Sequence, residues 1–103
     1  VVLLTGAGGS IGSELCRQII RLDPSALILY ERSEHDLYLI ENEMLELAQK
    51  LYPEAANRAV PILASIQDRN RMEAVCRAFA VETIYHAAAT ERYEDGAVFS
   101  FPG

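Results

Sequence analysis

The run Thr5-Gly6-Ala7-Gly8-Gly9-Ser10-Ile11-Gly12 sets glycines at 6, 9 and 12, between an apolar segment and an amphipathic one. That spacing suits an anion. Gly6 lets the chain turn sharply out of a strand where a side chain would clash. Gly9 lets the backbone approach a phosphate, and Gly12 lets the next helix lie close on the strand. The first-turn N–H groups of that helix, which starts at Ser10 and Ile11, have no partner inside it and carry the positive end of its dipole. A pyrophosphate is a group such a terminus holds. Glu31 stands about 20 residues further on, at the end of a second apolar run, where a carboxylate can accept hydrogen bonds from ribose hydroxyls. Strand, glycines, helix and acid together point to a dinucleotide site, whereas the glycine turn alone would read equally as an unliganded bend. No Gly-Lys-Ser/Thr follows, which excludes a P-loop.

The elements that must position these residues alternate along the chain. Val1–Thr5 and Ala26–Tyr30 are apolar throughout, as parallel strands buried on both faces are. Between them, Ser10 to about Leu22 predicts a helix with Ile11, Leu15, Ile19 and Leu22 inward and Glu14, Arg17, Gln18 and Arg21 outward. Ser33 is an N-cap candidate, with Asp36 as the acid of a capping box. The helix it starts runs to about Leu51, its inner stripe being Leu37, Ile40, Met44, Leu47 and Leu51, and its acidic face solvated. A third strand is predicted over 59–66, at an edge because Pro61 lacks the N–H that a central strand needs. Asp68 caps a third helix with Met72, Val75, Cys76 and Phe79 inward, and Glu82–His86 forms a fourth strand. From Thr90 no period is sustained, leaving a loop, a short strand or a disordered end. The alternation predicts an α/β, Rossmann-like, three-layer half-fold, βαβαβαβ, with a parallel sheet in the order 3-2-1-4. It occupies residues 1–89, and 90–103 form an irregular tail or a truncated continuation.

Composition narrows the partners. Half of the 103 residues are hydrophobic and the net charge is −6, which suits a packed core and argues against nucleic acid. No run is long enough to cross a bilayer. The chain starts without Met, inside a strand, so it reads as a piece of a longer protein whose upstream part could carry a membrane anchor. Cys16 and Cys76 fall within helical patterns and behave as small apolar residues in a reduced, cytoplasmic setting. With His35 and His86 they lack ligand spacing, so no metal is expected.

Four stretches coincide with a known pattern: residues 5–15, then Glu31-Arg32-Ser33-Glu34, then Gln67-Asp68-Arg69, then His86-Ala87-Ala88-Ala89. Together they resemble the extended short-chain dehydrogenase/reductase family. The run Gly-Ser-Ile-Gly-Ser-Glu-Leu-Cys-Arg-Gln-Ile is similar to the CapD-like polysaccharide biosynthesis proteins within it. The resemblance implies the NAD(P)-binding N-terminal part of a nucleotide-sugar 4,6-dehydratase or epimerase, a lyase of cell-surface polysaccharide biosynthesis. Gly6, Gly9, Ser10, Ile11 and Gly12 would then hold the pyrophosphate, and Glu31, Arg32 and Ser33 the adenosine ribose. Ser65 and Ile66 would meet the adenine, and Ala87, Ala88 and Ala89 would lie toward the nicotinamide. Two stretches depart from the family. Ala64-Ser65-Ile66 stands where members carry Gly-Asp-Val, exchanging a carboxylate for a hydroxyl. Glu91-Arg92-Tyr93-Glu94 replaces a Lys-His-Val-Pro-like continuation.

The family's Tyr-x-x-x-Lys pair, in which lysine lowers the tyrosine's pKa for base catalysis, has no counterpart here. The single lysine is Lys50, and Glu46 stands four positions before it. No catalytic residue is therefore assigned, and His86 reads either as a structural residue or, less simply, as an acid–base group. The fragment alone is expected to be inactive, the nucleotide sugar being a partner of the full-length parent. A stand-alone, non-catalytic NAD(P)-binding or interaction module is the alternative. Glu31 favours NAD, because a 2′-phosphate would meet its charge, while Arg32 keeps NADP open as the second choice. A half-fold also leaves the fourth strand's edge uncovered, which predicts self-association.

Overall fold

A computed structural model describes residues 1–87 and the backbone of residues 97–100. The elements are β1 (Val2–Thr5), α1 (Ser10–Ile20), β2 (Leu27–Glu31), α2 (Glu34–Leu51), β3 (Ala59–Leu63), α3 (Arg69–Ala78), β4 (Thr83–His86) and β5 (Ala97–Ser100). The sheet order is β3-β2-β1-β4-β5. The first four strands are parallel in the expected 3-2-1-4 order, with Val2 beside Leu27 and Thr83, and Thr5 beside Tyr30 and His86. This is the α/β Rossmann-like half-fold. Pro61 lies on β3, the edge strand, and is exposed, where its missing N–H breaks no ladder.

Beyond β4 the sheet continues. β5 runs antiparallel to β4, pairing Ser100 with Thr83 and Ala97 with His86. The expectation of an uncovered β4 edge is therefore corrected, because backbone pairing with residues 97–100 covers it. Ala88 and Ala89 lie outside the described residues, as do 90–96 and 101–103.

Two apolar layers sandwich the sheet. On one face Leu4, Leu27 and Leu29 pack with Cys16, Ile19 and Ile20 of α1 and Leu37, Ile40 and Met44 of α2. On the other, Leu3, Ile28, Tyr30 and Ile84 pack with Val75 of α3 and Val81. Each large side chain fully removed from water contributes about 1.5–3 kcal/mol, so the ten or so wholly buried ones dominate the driving force.

The helix stripes need correction. In α1 the buried positions are Gly12, Cys16, Ile19 and Ile20, while Ile11 and Leu22 are exposed. Ile19 is buried and Leu15 packs against the core as predicted, while the buried face is rotated toward Gly12, Cys16 and Ile20 and away from Ile11 and Leu22. Gly12 sets the rotation: an added Cβ there would lie 1.9 Å from the Gly6 carbonyl oxygen. The helix faces the turn through a residue with no side chain, which a count of apolar residues overlooks. Leu22 falls past the helix end, and Asp23 follows in a left-handed conformation at φ 59°. In α2, Leu37, Ile40, Met44 and Ala48 are buried; Leu51, predicted inward, is exposed. In α3, Val75 is buried and Met72 and Cys76 are half-buried against the core, but Phe79, also predicted inward, is exposed at the C-cap.

Candidate functional site

The C-terminal ends of β1, β2 and β3 open into one cleft of about 410 Å³. In an open parallel sheet this is where ligands bind, because the loops diverge there and helix N-termini converge. Three walls form it.

The glycine turn is the first. Gly6 takes φ 65°, the left-handed region open to glycine, and its N–H donates to the Tyr30 carbonyl at 2.9 Å. The turn closes through Gly9 N–H to Gly6 O at 3.0 Å. Gly9 is the N-cap of α1, offers no capping side chain, and has no acidic residue in the turn after it. The first-turn amides are thus left for an outside acceptor. An added Cβ at Gly9 would meet only the Gly6 carbonyl, at 3.4 Å, so the space beyond it is open. Gly9, Ser10 and Ile11 line the cleft. The exposure of Ile11 follows from the rotation that buries Gly12, which supports the turn from behind and does not line the cleft.

The β2–α2 turn is the second wall. Glu31 is only 7 % exposed. Its Oε1 accepts from Gly8 N–H at 2.8 Å and its Oε2 from Ser33 N–H at 3.0 Å. Ser33 caps α2, its hydroxyl accepting from Asp36 N–H at 3.3 Å. The capping box is half formed as expected, but the acid that receives the Ser33 N–H is Glu31 and not Asp36. Asp36 instead packs on Gly8, where an added Cβ would lie 2.5 Å from Asp36 Cβ. Arg32 is exposed at the rim, and makes no ion pair among the described residues.

The β3–α3 loop is the third. Ser65 and Ile66 line the cleft with Ala64 and Gln67. The Ser65 hydroxyl accepts from Gln67 N–H at 3.1 Å, which leaves its own hydrogen to donate. The Ser65 carbonyl accepts from the Tyr30 hydroxyl at 3.3 Å. Tyr30 is fully buried, and burial, seconded by the nearby Asp68 charge, raises its pKa. It is a structural donor that holds the loop.

His86 ends β4 beside Thr5, and Thr5 Oγ1 and His86 Nδ1 are 2.8 Å apart in a buried contact. That bond ties the strand of the glycine turn to β4, which favours the structural reading of His86. Ala87 follows it into the cleft. His35 is exposed on α2. Neither cysteine belongs to the site: Cys16 is fully buried, and its thiol is pushed up to about 12 by burial, with Glu43 adding to the shift. No cluster among the described residues could hold a metal ion.

Gly6, Gly9, Ser10, Ile11, Glu31, Arg32, Ser33, Ser65, Ile66 and Ala87 thus meet at one cleft. Gly8, Tyr30 and Asp36 had no assigned part there. Gly8 carried a signal: one glycine suffices for the approach of a phosphate, so a second beside it needs its own reason, here the contact with α2.

The sequence matches the family described as polysaccharide biosynthesis protein over residues 2–94. The chain belongs to this family. It is 42 % identical over 90 residues to the capsular polysaccharide biosynthesis protein CapD of Staphylococcus aureus, covering 85 % of this chain and 14 % of that protein. It is 38 % identical over 88 residues to the probable polysaccharide biosynthesis protein EpsC of Bacillus subtilis (strain 168), with the same coverage of 85 % and 14 %. The chain therefore spans about a seventh of the length of these relatives. The family match takes in all three walls of the cleft. Among the described residues no helix is long and apolar enough to cross a membrane.

Proposed function

We propose that the cleft binds NAD, and that the 103 residues are the cofactor-binding part of a nucleotide-sugar 4,6-dehydratase or epimerase serving polysaccharide biosynthesis. The observation that carries this reading is the meeting of an uncapped α1 N-terminus and the Glu31 carboxylate in a single cleft. The pyrophosphate lies on the amides of Ser10 and Ile11, with Gly9 leaving room for it and Gly12 supporting the turn from behind. The Glu31 oxygens, each with a lone pair beyond its backbone bond, accept from the ribose hydroxyls. Ser65 and Ile66 flank the adenine, and the Ser65 hydroxyl donates where relatives with a carboxylate accept. Ala87, at the end of β4, leads toward the nicotinamide.

Bound NAD would supply the hydride acceptor; the chain's own residues bind and orient it. With a single lysine and no Tyr-x-x-x-Lys, proton transfer and the nucleotide-sugar contacts are assigned to other parts of a longer, cytoplasm-facing protein. NAD is preferred over NADP on a geometric ground. Glu31 is held by two backbone donors and cannot swing aside, so a 2′-phosphate would lie against a fixed like charge, whereas Arg32 must reorient to help.

Calorimetric titration with NAD and NADP, in the full-length protein and in Glu31→Ala, tests this. NAD should bind more tightly than NADP, and the preference should shrink or invert in the variant. Tighter binding of NADP by the unsubstituted protein would overturn the choice.

A further inference from the structure

The geometry points to Glu31 as the positioning residue of the phosphate-binding turn, in addition to its part at the ribose. This rests on the dinucleotide reading above and reaches a different portion of the ligand. Both carboxylate oxygens are committed to backbone amides on opposite walls of the cleft, Gly8 at 2.8 Å and Ser33 at 3.0 Å. Gly8 immediately precedes Gly9, the α1 N-cap. Ser33 caps α2 through Asp36 N–H, and Asp36 fills the space that a side chain at Gly8 would need. The connection forms a closed circuit: Glu31 to Gly8, Gly8 to Asp36, Asp36 to Ser33, Ser33 back to Glu31. Within it the carboxylate is the one group able to accept from two amides at once. A glutamine offers one oxygen and one donor NH₂, so it must set a donor against one of the two amides. Charge-assisted bonds of this kind are about twice as strong as neutral ones. Removing the acceptor leaves two part-buried N–H groups without it, and the turn relaxes.

Two accounts of Glu31 predict opposite signs for a ligand that has no ribose. If the carboxylate only contacts ribose, deleting its charge from beside an anion site leaves inorganic pyrophosphate binding unchanged or tighter. If it positions the turn, pyrophosphate binding weakens although a repelling charge has gone.

The test is calorimetry of inorganic pyrophosphate and of ADP with the 103-residue chain, unsubstituted and as Glu31→Ala and Glu31→Gln, with amide hydrogen exchange on the same samples. Pyrophosphate affinity should fall about tenfold in Glu31→Ala, equivalent to about 1.4 kcal/mol, and by less in Glu31→Gln. Exchange at Gly8 and Ser33 should accelerate in Glu31→Ala, and at one of the two at least in Glu31→Gln, while amides of β1 and β2 stay protected. Unchanged or tighter pyrophosphate binding, or undiminished protection at Gly8, in Glu31→Ala overturns the inference. Should neither variant fold, the unsubstituted chain still decides: Gly8 N–H should exchange slowly, and exchange at the rate of an open amide overturns it. Should neither pyrophosphate nor ADP bind the unsubstituted chain, the dinucleotide reading fails there, and the Gly8 exchange alone judges the positioning role.

Discussion

The two ends of the sheet solve the same problem in opposite ways. At the end where β2 begins, side chains reach in to satisfy the backbone. The Tyr52 hydroxyl donates to the Ile20 carbonyl at 2.8 Å, closing the C-terminus of α1. Arg58 donates to the Pro24 carbonyl at 2.9 Å, pairs with Asp23, and lies 4.1 Å from the centre of the Tyr52 ring. At the end where β1 and β2 finish, Glu31 and Ser33 serve the β2–α2 turn, but side chains are withdrawn from the start of α1. Gly6, Gly8, Gly9 and Gly12 bring backbone to backbone, and the α1 N-terminus has no cap of its own. Buried helix ends need partners. The C-terminus of α1 finds its partners within the chain; its N-terminus has no side-chain cap, which is what the proposed cofactor site requires.

Two glycine substitutions should break this contrast most strongly. Gly12→Val drives carbons into the Gly6 carbonyl, so it should cost about 3 kcal/mol of stability, read from a urea melt, and abolish binding with it. Gly9→Val points into open space. It should leave stability within about 1 kcal/mol while removing nucleotide binding. Equal melting behaviour of the two variants would show that the third glycine is not a packing contact.

Arg58→Ala addresses the closed end. It loses a charged hydrogen bond and a ring contact, so about 2 kcal/mol of stability should go. Nucleotide affinity should not change; a weakened affinity would mean that the ends are coupled.

Alkaline pH reaches the layer between them. The Cys16 thiol is pushed up to about 12 from an ordinary 9.0. The folded state therefore holds a proton that the unfolded chain gives up. Stability is whole below pH 9 and falls as pH rises from 9 toward 12, by about 1.4 kcal/mol per unit at most from this group. The raised pKa of Tyr30 acts in the same sense. Denaturant melts at pH 8 and pH 10 measure the loss, and Cys16→Ala should flatten it. A higher melt midpoint at pH 10 than at pH 8, or no change, would contradict the burial of the thiol.

The smallest effect belongs to Arg17, which forks onto Glu43 across α1 and α2, one arm at 3.1 Å, and reaches Glu14 at 3.3 Å. Hydrogen bonds donated by Gln18 and Arg17 hold the Glu14 carboxyl below its usual range. The group lies at the surface, so Arg17→Ala should leave stability nearly unchanged, and any difference should shrink in high salt.

Much of this was legible beforehand, for identifiable reasons. Val1–Thr5 and Ala26–Tyr30 have no polar interruption, so their burial on both faces could be read directly, and Pro61 named the edge. The glycine spacing and Glu31 marked two walls of the cleft. What stayed hidden was work done by backbone. Gly12 orients α1 because it lacks a side chain, and a stripe of Ile and Leu cannot register that. The Gly8 N–H that engages Glu31 has no signature in residue type. β5 pairs through main-chain groups over four residues whose pattern has no sustained period.

The most direct test of the central claim is a titration of the isotope-labelled 103-residue chain with NAD, followed amide by amide. Saturable shifts are predicted at Gly9, Ser10, Ile11, Gly12, Ser33, Ser65 and Ile66, with Asp23, Tyr52 and Arg58 at the closed end unmoved. A chain whose glycine-turn amides stay in place while NAD saturates, or whose shifts gather at the closed end, would contradict it.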